Sequence, residues 1–251
     1  MPRTAQNVIR SLHREGTTPV GTLITCQDPI STAIAGSVGF DYVLIDMEHG
    51  PITVETVVRH ILAARAYGMF VFVRVLENRP QLVQAAMDAG ADGVIAPKVE
   101  TAQDADRLAA AVRYAPGGRG ACPGTLGADF SFEGWDDYRS TTNANVLAIP
   151  LIETQKGVVN AQSIAEVDGV DAVFFGPVDY AQDVGTHYLG PDVVQAARQV
   201  ASAAKSADKM MMLTLAGHFT DIHSDLILES ADMMLLRAAF EDALRVHRGG
   251  R

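Results

Sequence analysis

The stretch DYVLIDMEHGP, residues Asp41 to Pro51, decides how this chain reads. Tyr42 to Asp46 is a nearly continuous apolar run of strand-forming residues. An unbroken run, rather than an alternation, marks a parallel strand covered on both faces. The run stops in Asp46, Glu48 and His49, then breaks at Gly50 and Pro51. Ionisable groups buried without partners cost several kcal/mol or shift their pKa values. Groups set at the lip of a buried strand are therefore either solvated or placed for chemistry.

Working outward, seven more runs of this kind follow the same logic: Val20–Thr25, Met69–Val75, Asp92–Pro97, Val146–Glu153, Asp171–Gly176, Met210–Leu215 and Asp232–Arg237. Between them lie segments with apolar residues at helical spacing. VETVVRHILAARAYG stops at Gly68, PQLVQAAMDAG opens on Pro80 and stops at Gly90, TAQDADRLAAAVRY carries a threonine cap, and PDVVQAARQVASAAKSADK opens on Pro191. Strand then helix, eight times over, predicts a single α/β domain over residues 1–251, a (β/α)8 TIM barrel. A doubly wound open sheet is the alternative, but no glycine fingerprint follows the first strand. No internal repeat, low-complexity tract or linker interrupts the pattern. The longest irregular stretch is Ala115–Asn145, whose Gly-rich part is expected to be a mobile loop over the barrel mouth. Its PGGRGACPG segment lacks the Gly-Lys-Ser/Thr ending of a phosphate loop.

The 251 residues suit one barrel, and a hydrophobic fraction of 48% with 20% charged residues suits an ordinary globular core. A net charge of −10 and a pI near 5.1 argue against nucleic acid or an anionic membrane as partner. No run approaches the ~20 apolar residues of a membrane span. MPRTAQNVIRSLHREG, residues 1–16, reads as polar and helical, without the apolar core of a signal peptide. Cys26 and Cys122 are far apart, so a reduced, cytoplasmic protein is expected.

In a barrel of this kind the chemistry sits at the C-terminal ends of the strands. Those ends deliver Asp46, Glu48 and His49, then Arg74, then Glu153, and, through GPVD, Asp179. The opposite ends are expected to carry no such concentration. Taken singly, an acid there is a helix cap, an arginine an ion-pair partner and a histidine a packing residue. Jointly, two carboxylates can hold a hard divalent cation with positions left for water and substrate. The arginine suits a carboxylate or a developing enolate, and the histidine a proton transfer. Cleaving a bond beside a carbonyl leaves an enolate whose charge must be stabilised where it develops. Lys98, the one lysine at an expected strand end, keeps an imine route open. His187, His218 and His223 have no spacing that suits a shared ligand.

The segments GFDYVLIDMEHGP, VFVRV, AGADGVIAPKVETAQDA, IETQKGVVN and VDGVDAVFFGPVDYAQDVG resemble, in order and spacing, the class II pyruvate aldolases of the HpcH/HpaI family. The resemblance implies a metal-dependent carbon–carbon lyase that cleaves a 4-hydroxy-2-oxo acid to pyruvate and an aldehyde. It implies Glu153 and Asp179 as ligands for Mg2+, Mn2+ or Co2+, Arg74 as the enolate stabiliser and His49 as the proton-handling residue. Asp88 is implied to pair with the histidine of a neighbouring subunit, and Asp46 to be a structural acid. Backbone N–H groups around Gly176 to Asp179 are implied to receive the substrate carboxylate, with Pro177 and Val178 shaping that side of the pocket. A homohexamer, a trimer of dimers with the last helix exchanged, is also implied.

Three departures from the family pattern surround the pocket. Leu151 stands where glutamine is usual, Lys98 where methionine is usual, and Arg237 where the eighth strand should end in glycine and aspartate. They leave two other readings: a citrate synthase-like enzyme condensing oxaloacetate with acetyl-CoA, and a non-catalytic barrel binding a small acid.

Overall fold

The computed structural model describes residues 17–248, so the polar helical reading of residues 1–16 lies outside the described residues. Eight parallel strands close into a barrel in chain order: β1 Val20–Ile24, β2 Tyr42–Asp46, β3 Phe70–Arg74, β4 Gly93–Ala96, β5 Leu147–Ile152, β6 Ala172–Phe175, β7 Met210–Thr214 and β8 Leu226–Ala231. The helices are α1 Ile30–Val38, α2 Val54–Ala66, α3 Pro80–Asp88, α4 Ala102–Ala111, α5 Trp135–Asn145, α6 Gln155–Val159, α7 Ala161–Ala165, α8 Pro177–Val184, α9 Pro191–Ser206 and α10 Asp232–Arg248. The expected barrel is present.

Seven of the expected strand runs are strands; the eighth is not. Asp232–Arg237 opens α10, and β8 is the preceding LILESA. Short apolar runs fit strand or helix equally, and here the apolar spacing continues through 17 helical residues. The strict alternation also fails once, since residues 215–225 join β7 to β8 through turns and bends without a helix.

Two apolar layers hold the barrel. Tyr42, Leu44, Phe72, Ile95, Leu147, Ile149 and Met212 fill its inside, while Val43, Ile45, Val73, Val94 and Val173 pack outward against the helices. This double coverage is why these strands read as unbroken apolar runs. Gly21 on β1 is needed for the filling. A Cβ there would sit 2.2 Å from the Tyr42 ring, whose hydroxyl donates to the Ile227 carbonyl across the barrel wall at 2.6 Å.

Contrary to expectation, the N-terminal rim also gathers acids. Asp41, Asp92, Asp171 and Asp225 directly precede β2, β4, β6 and β8. Each carboxylate accepts a backbone N–H from the start of the preceding odd strand: Val20 at 2.9 Å, and Val71, Ala148 and Met211 at 2.8 Å each. These acids satisfy backbone donors that no earlier residue of the ladder reaches, a structural use rather than a chemical one.

The stretch after α4 does not cover the mouth. It joins a helix to a strand, which places it at the opposite rim. Gly120 N–H donates to Gln84 Oε1 at 3.0 Å and Gly127 N–H to the Asp88 carbonyl at 3.1 Å, so it packs on the end of α3. Its second part is α5, not loop. At the C-terminus, α10 has no buried residue, and Met234, Leu236, Phe240 and Leu244 are all exposed. No helix among the described residues is long and apolar enough to cross a membrane.

Candidate active site

β2 and β3 pair in register with Asp46 beside Arg74 at their C-terminal ends. Asp46 is fully buried, and Arg74 grips it with both sides of the guanidinium fork: Nε to Oδ1 at 2.8 Å and Nη2 to Oδ2 at 2.7 Å. The Glu48 N–H adds a bond to Asp46 Oδ1 at 3.0 Å. Burial works against the arginine's charge, but the bond and charge of Asp46, with Glu48 and Glu153 nearby, hold it firmly protonated.

Glu48 turns in behind this pair, with Oε2 3.5 Å from Arg74 Nε and 3.8 Å from His49 Nε2. Glu48 Oε2 is buried with no hydrogen-bond partner. Burial raises its pKa, Arg74 and His49 oppose the rise, and Asp46 and Asp179 add to it. Glu48 is the residue to which the sequence reading gave no role, although it stood in the quoted segment. The signal was present, but a carboxylate next to a histidine reads equally well as a solvated turn.

Glu153 follows β5 and is 2% exposed. Its Oε1 accepts the Lys98 backbone N–H at 2.8 Å, and its pKa is pushed up to about 7, first by burial, with Asp179 and Glu48 adding repulsion. Gly176 makes room for it. A Cβ at Gly176 would meet Glu153 Cβ at 2.8 Å and Oε2 at 3.0 Å. Pro177 then opens α8 and puts Asp179 in its first turn. Of the four N–H positions at this helix start, Pro177 lacks one and Gly176 donates to the Ile152 carbonyl at 3.0 Å, which leaves those of Val178 and Asp179.

Arg74, Glu153, Gly176, Pro177, Val178 and Asp179 line one cavity of about 360 Å3 at the mouth. Leu151, 1% exposed, lies in its floor beside Gly176 with Leu44 and Phe174, while Tyr188, Thr214 and Met234 line the other side. These last three come from distant segments and carried no local signal. His49 stands at the rim with 58% of its side chain exposed. Larger cavities occur between α9 and the β7–β8 turns, about 500 Å3, and along α2 and α3, about 570 Å3. Neither combines an arginine with paired acids on strand ends, so size does not mark the site.

Asp88, Lys98 and Arg237 do not line the mouth cavity. Asp88 closes α3 at the far rim, where its partners are Gln84 Nε2 at 3.4 Å and Arg119 Nη1 at 3.9 Å. Lys98 touches Glu153 through its backbone only, in a left-handed conformation with φ 53°, and the residue is exposed. Arg237 lies on α10, paired with Glu241 at 2.9 Å and 80% exposed, so it adds no positive charge to the pocket. The strand end it was read into belongs to Ala231 and Asp232, and Asp232 accepts the Thr25 and Cys26 N–H groups at 3.0 and 3.2 Å.

Among the described residues no group of three or more His, Cys, Asp or Glu forms a ready cation cage. The donor set nonetheless fits a hard divalent ion. Glu153 and Asp179 supply oxygen only, their charges repel, and the nearest arginine is already engaged by Asp46.

A parallel barrel whose mouth joins an engaged arginine to paired carboxylates can hold a cation and stabilise negative charge beside it. The sequence model of HpcH/HpaI aldolase/citrate lyase matches residues 21–234. The chain is 35% identical over 195 residues to a 5-keto-4-deoxy-D-glucarate aldolase of Klebsiella pneumoniae, covering 76% of this chain and 75% of that one. It is 31% identical over 215 residues to a hydroxypyruvate/pyruvate aldolase of Roseobacter denitrificans, covering 82% and 83%. A crystal structure of a family protein from Burkholderia cenocepacia superposes with a TM-score of 0.90 at 29% identity, covering 97% of this chain and all of that one. The chain belongs to the HpcH/HpaI aldolase/citrate lyase family, and the expectation of a carbon–carbon lyase on a barrel scaffold is borne out.

Proposed function

We propose that the chain is a divalent-metal-dependent class II aldolase that reversibly cleaves a 4-hydroxy-2-oxo acid to pyruvate and an aldehyde. The observation that carries this reading is that Arg74, Glu153 and Asp179 share one mouth cavity, with Arg74 held by a buried acid. Glu153 and Asp179 would hold Mg2+, Mn2+ or Co2+, which when bound neutralises their charge and polarises the keto group toward an enolate.

The chain's own residues do the rest. Asp46 fixes two guanidinium nitrogens and leaves Nη1 of Arg74 as the donor for the enolate oxygen. The N–H groups of Val178 and Asp179, at the start of α8, receive the substrate carboxylate. Leu151, Leu44 and Phe174 exclude water beneath the reacting carbons. His49 takes the proton from the C4 hydroxyl during cleavage and returns it during condensation, through a water at the rim. Glu48 Oε2 lies 3.8 Å from His49 Nε2 and faces the imidazole from the barrel side. Asp88, at the far rim of its own barrel, serves the His49 of a neighbouring copy.

The exposed apolar face of α10 supports a homo-oligomer in which that helix packs on a neighbouring barrel, in a trimer of dimers. The acidic charge supports an enzyme acting on small molecules rather than on nucleic acid or an anionic membrane, and we place it in the cytoplasm. The condensing reading loses the support of Arg237, which stands outside the pocket.

Pyruvate release, followed with lactate dehydrogenase and NADH, tests the proposal. Dialysis against EDTA should abolish it, and Mg2+, Mn2+ or Co2+ should restore it. Full activity in EDTA, with borohydride and pyruvate labelling Lys98, would replace this mechanism with the imine route.

A further inference from the structure

Five of the buried polar atoms without a hydrogen-bond partner belong to one nest at the end of α3: Asp88 Oδ1, the Tyr114 hydroxyl, and Nε, Nη1 and Nη2 of Arg119. The Arg119 side chain is completely buried, and its guanidinium carbon lies 3.7 Å from the centre of the Tyr114 ring. Trp135 and Tyr138 of α5 pack edge-on against that ring, at 5.4 and 6.1 Å between centroids. The loop is tied down on both sides of the nest, by Gly120 to Gln84 and by Gly127 to the Asp88 carbonyl.

A buried cation whose donors find no acceptor costs several kcal/mol, and stacking on one ring returns only about 2. An apolar side chain of similar volume would stabilise this site better, so packing does not explain the arginine. Its one ion-pair partner among the described residues does. Nη1 lies 3.9 Å from Asp88 Oδ1, one small rotation short of a hydrogen bond.

We propose that Arg119 is a positioning residue that fixes the charge and direction of the Asp88 carboxylate, so that Asp88 can support the histidine of a neighbouring copy. The inference rests on the reading above in which Asp88 serves a neighbour's His49. Asp88 lines the groove between α2 and α3, where α2 presents only Val54, Val58 and Leu62 and the loop presents Thr125, Leu126 and Phe130. The other groups near it are Gln84 on its own helix and Tyr114, whose hydroxyl is held neutral by burial. Tyr138 lies behind Tyr114, and Arg65 of α2 reaches the Gly90 carbonyl instead. Arg119 is thus the one cation acting on Asp88 among the described residues. Burial drives the Asp88 carboxyl toward its neutral form, and Arg119 opposes it. A neutral acid could not stabilise an imidazolium across the interface.

The test uses the assembled enzyme, its mass checked in solution, and records kcat and KM from pH 5 to 9 for wild type, Asp88→Asn, Arg119→Gln, Arg119→Lys and the Asp88→Asn/Arg119→Gln double variant. Arg119→Gln should lower kcat about tenfold at neutral pH with KM little changed, and move the acidic limb up by about one pH unit. Arg119→Lys should keep the limb in place. In the Asp88→Asn background Arg119→Gln should have no further effect, since the group it acts through is gone. If Asp88→Asn is fully active, the cross-subunit reading itself is wrong. If Asp88→Asn is impaired but Arg119→Gln leaves the limb unmoved, or costs the same factor in both backgrounds, Arg119 is only structural and the proposal is overturned. Should Arg119→Gln fail to assemble, Arg119→Lys decides: a limb displaced by a full unit despite the retained charge overturns it.

Discussion

Replacing Arg74 by lysine keeps the charge and removes the fork. In the native site Nε and Nη2 are committed to Asp46 at 2.8 and 2.7 Å, which leaves Nη1 for a ligand in the mouth cavity. One ammonium cannot serve both ends. If it follows Asp46, which is fully buried, the enolate loses its donor. Losing one such donor lowers kcat at least ~100-fold, about 2.7 kcal/mol of transition-state stabilisation. If it turns to the ligand instead, Asp46 keeps only the Glu48 N–H at 3.0 Å. A charge-assisted bond lost at a buried carboxylate then costs about 1.5–3 kcal/mol of stability. Both branches are measurable, the first by the coupled pyruvate assay and the second by urea unfolding. An Arg74→Lys enzyme with kcat within about threefold of wild type and an unchanged urea midpoint would refute the reasoning, because the fork would then have no task a point charge cannot perform.

Three further outcomes are expected. Gly176→Ala puts a methyl 2.8 Å from Glu153 Cβ and 3.0 Å from Oε2, so Glu153 must turn from the Lys98 N–H; half-maximal activation should need about tenfold more Mn2+, and an unchanged activation curve counts against the role of Gly176. Asp92 is half-buried, and desolvation lifts its carboxyl to about 6, above the usual 3.8. The folded state therefore holds the proton more tightly than the unfolded chain, so this contribution is full below pH ~4 and is lost as pH rises through about 6, an effect of about 3 kcal/mol. Unfolding of Asp92→Asn should lack that slope between pH 4 and 6, and parallel curves for variant and wild type would contradict it. Phe240→Asp places a charge on the exposed apolar face of α10, and light scattering after gel filtration should show a smaller assembly; an unaltered mass argues that this face packs on nothing.

The catalytic corner was legible because its parts lie at ends of strands that announce themselves. Tyr42–Asp46 and Phe70–Arg74 are covered on both faces, so their sequences are unbroken apolar runs, and the first polar residue after each run is placed by the strand itself. Asp46 and Arg74 therefore fall opposite one another without further information. The eighth strand escaped for the converse reason. Its residues alternate between buried and accessible, with Glu229 exposed and lining the mouth cavity, so the run is not unbroken and apolar. The apolar DMMLLR beyond it offered a more strand-like run, although those residues belong to a helix.

Local sequence determined the strand and helix periods, the caps at Thr53 and Thr101, the Pro-started helices, and the residue types at the mouth, because each depends on neighbours within a turn or a strand. Only barrel closure decided what the remaining charges do. Asp41, Asp92, Asp171 and Asp225 look like ordinary turn acids, and become backbone acceptors once adjacent strands are brought side by side. Glu48 becomes a half-buried third carboxylate because β2 and β3 bring Arg74 against it. Arg119 sits in a Gly-rich stretch that reads as open loop, yet is enclosed by Tyr114 and the end of α3. Burial and charge pairing are sums over residues far apart in the chain, and no local period encodes them.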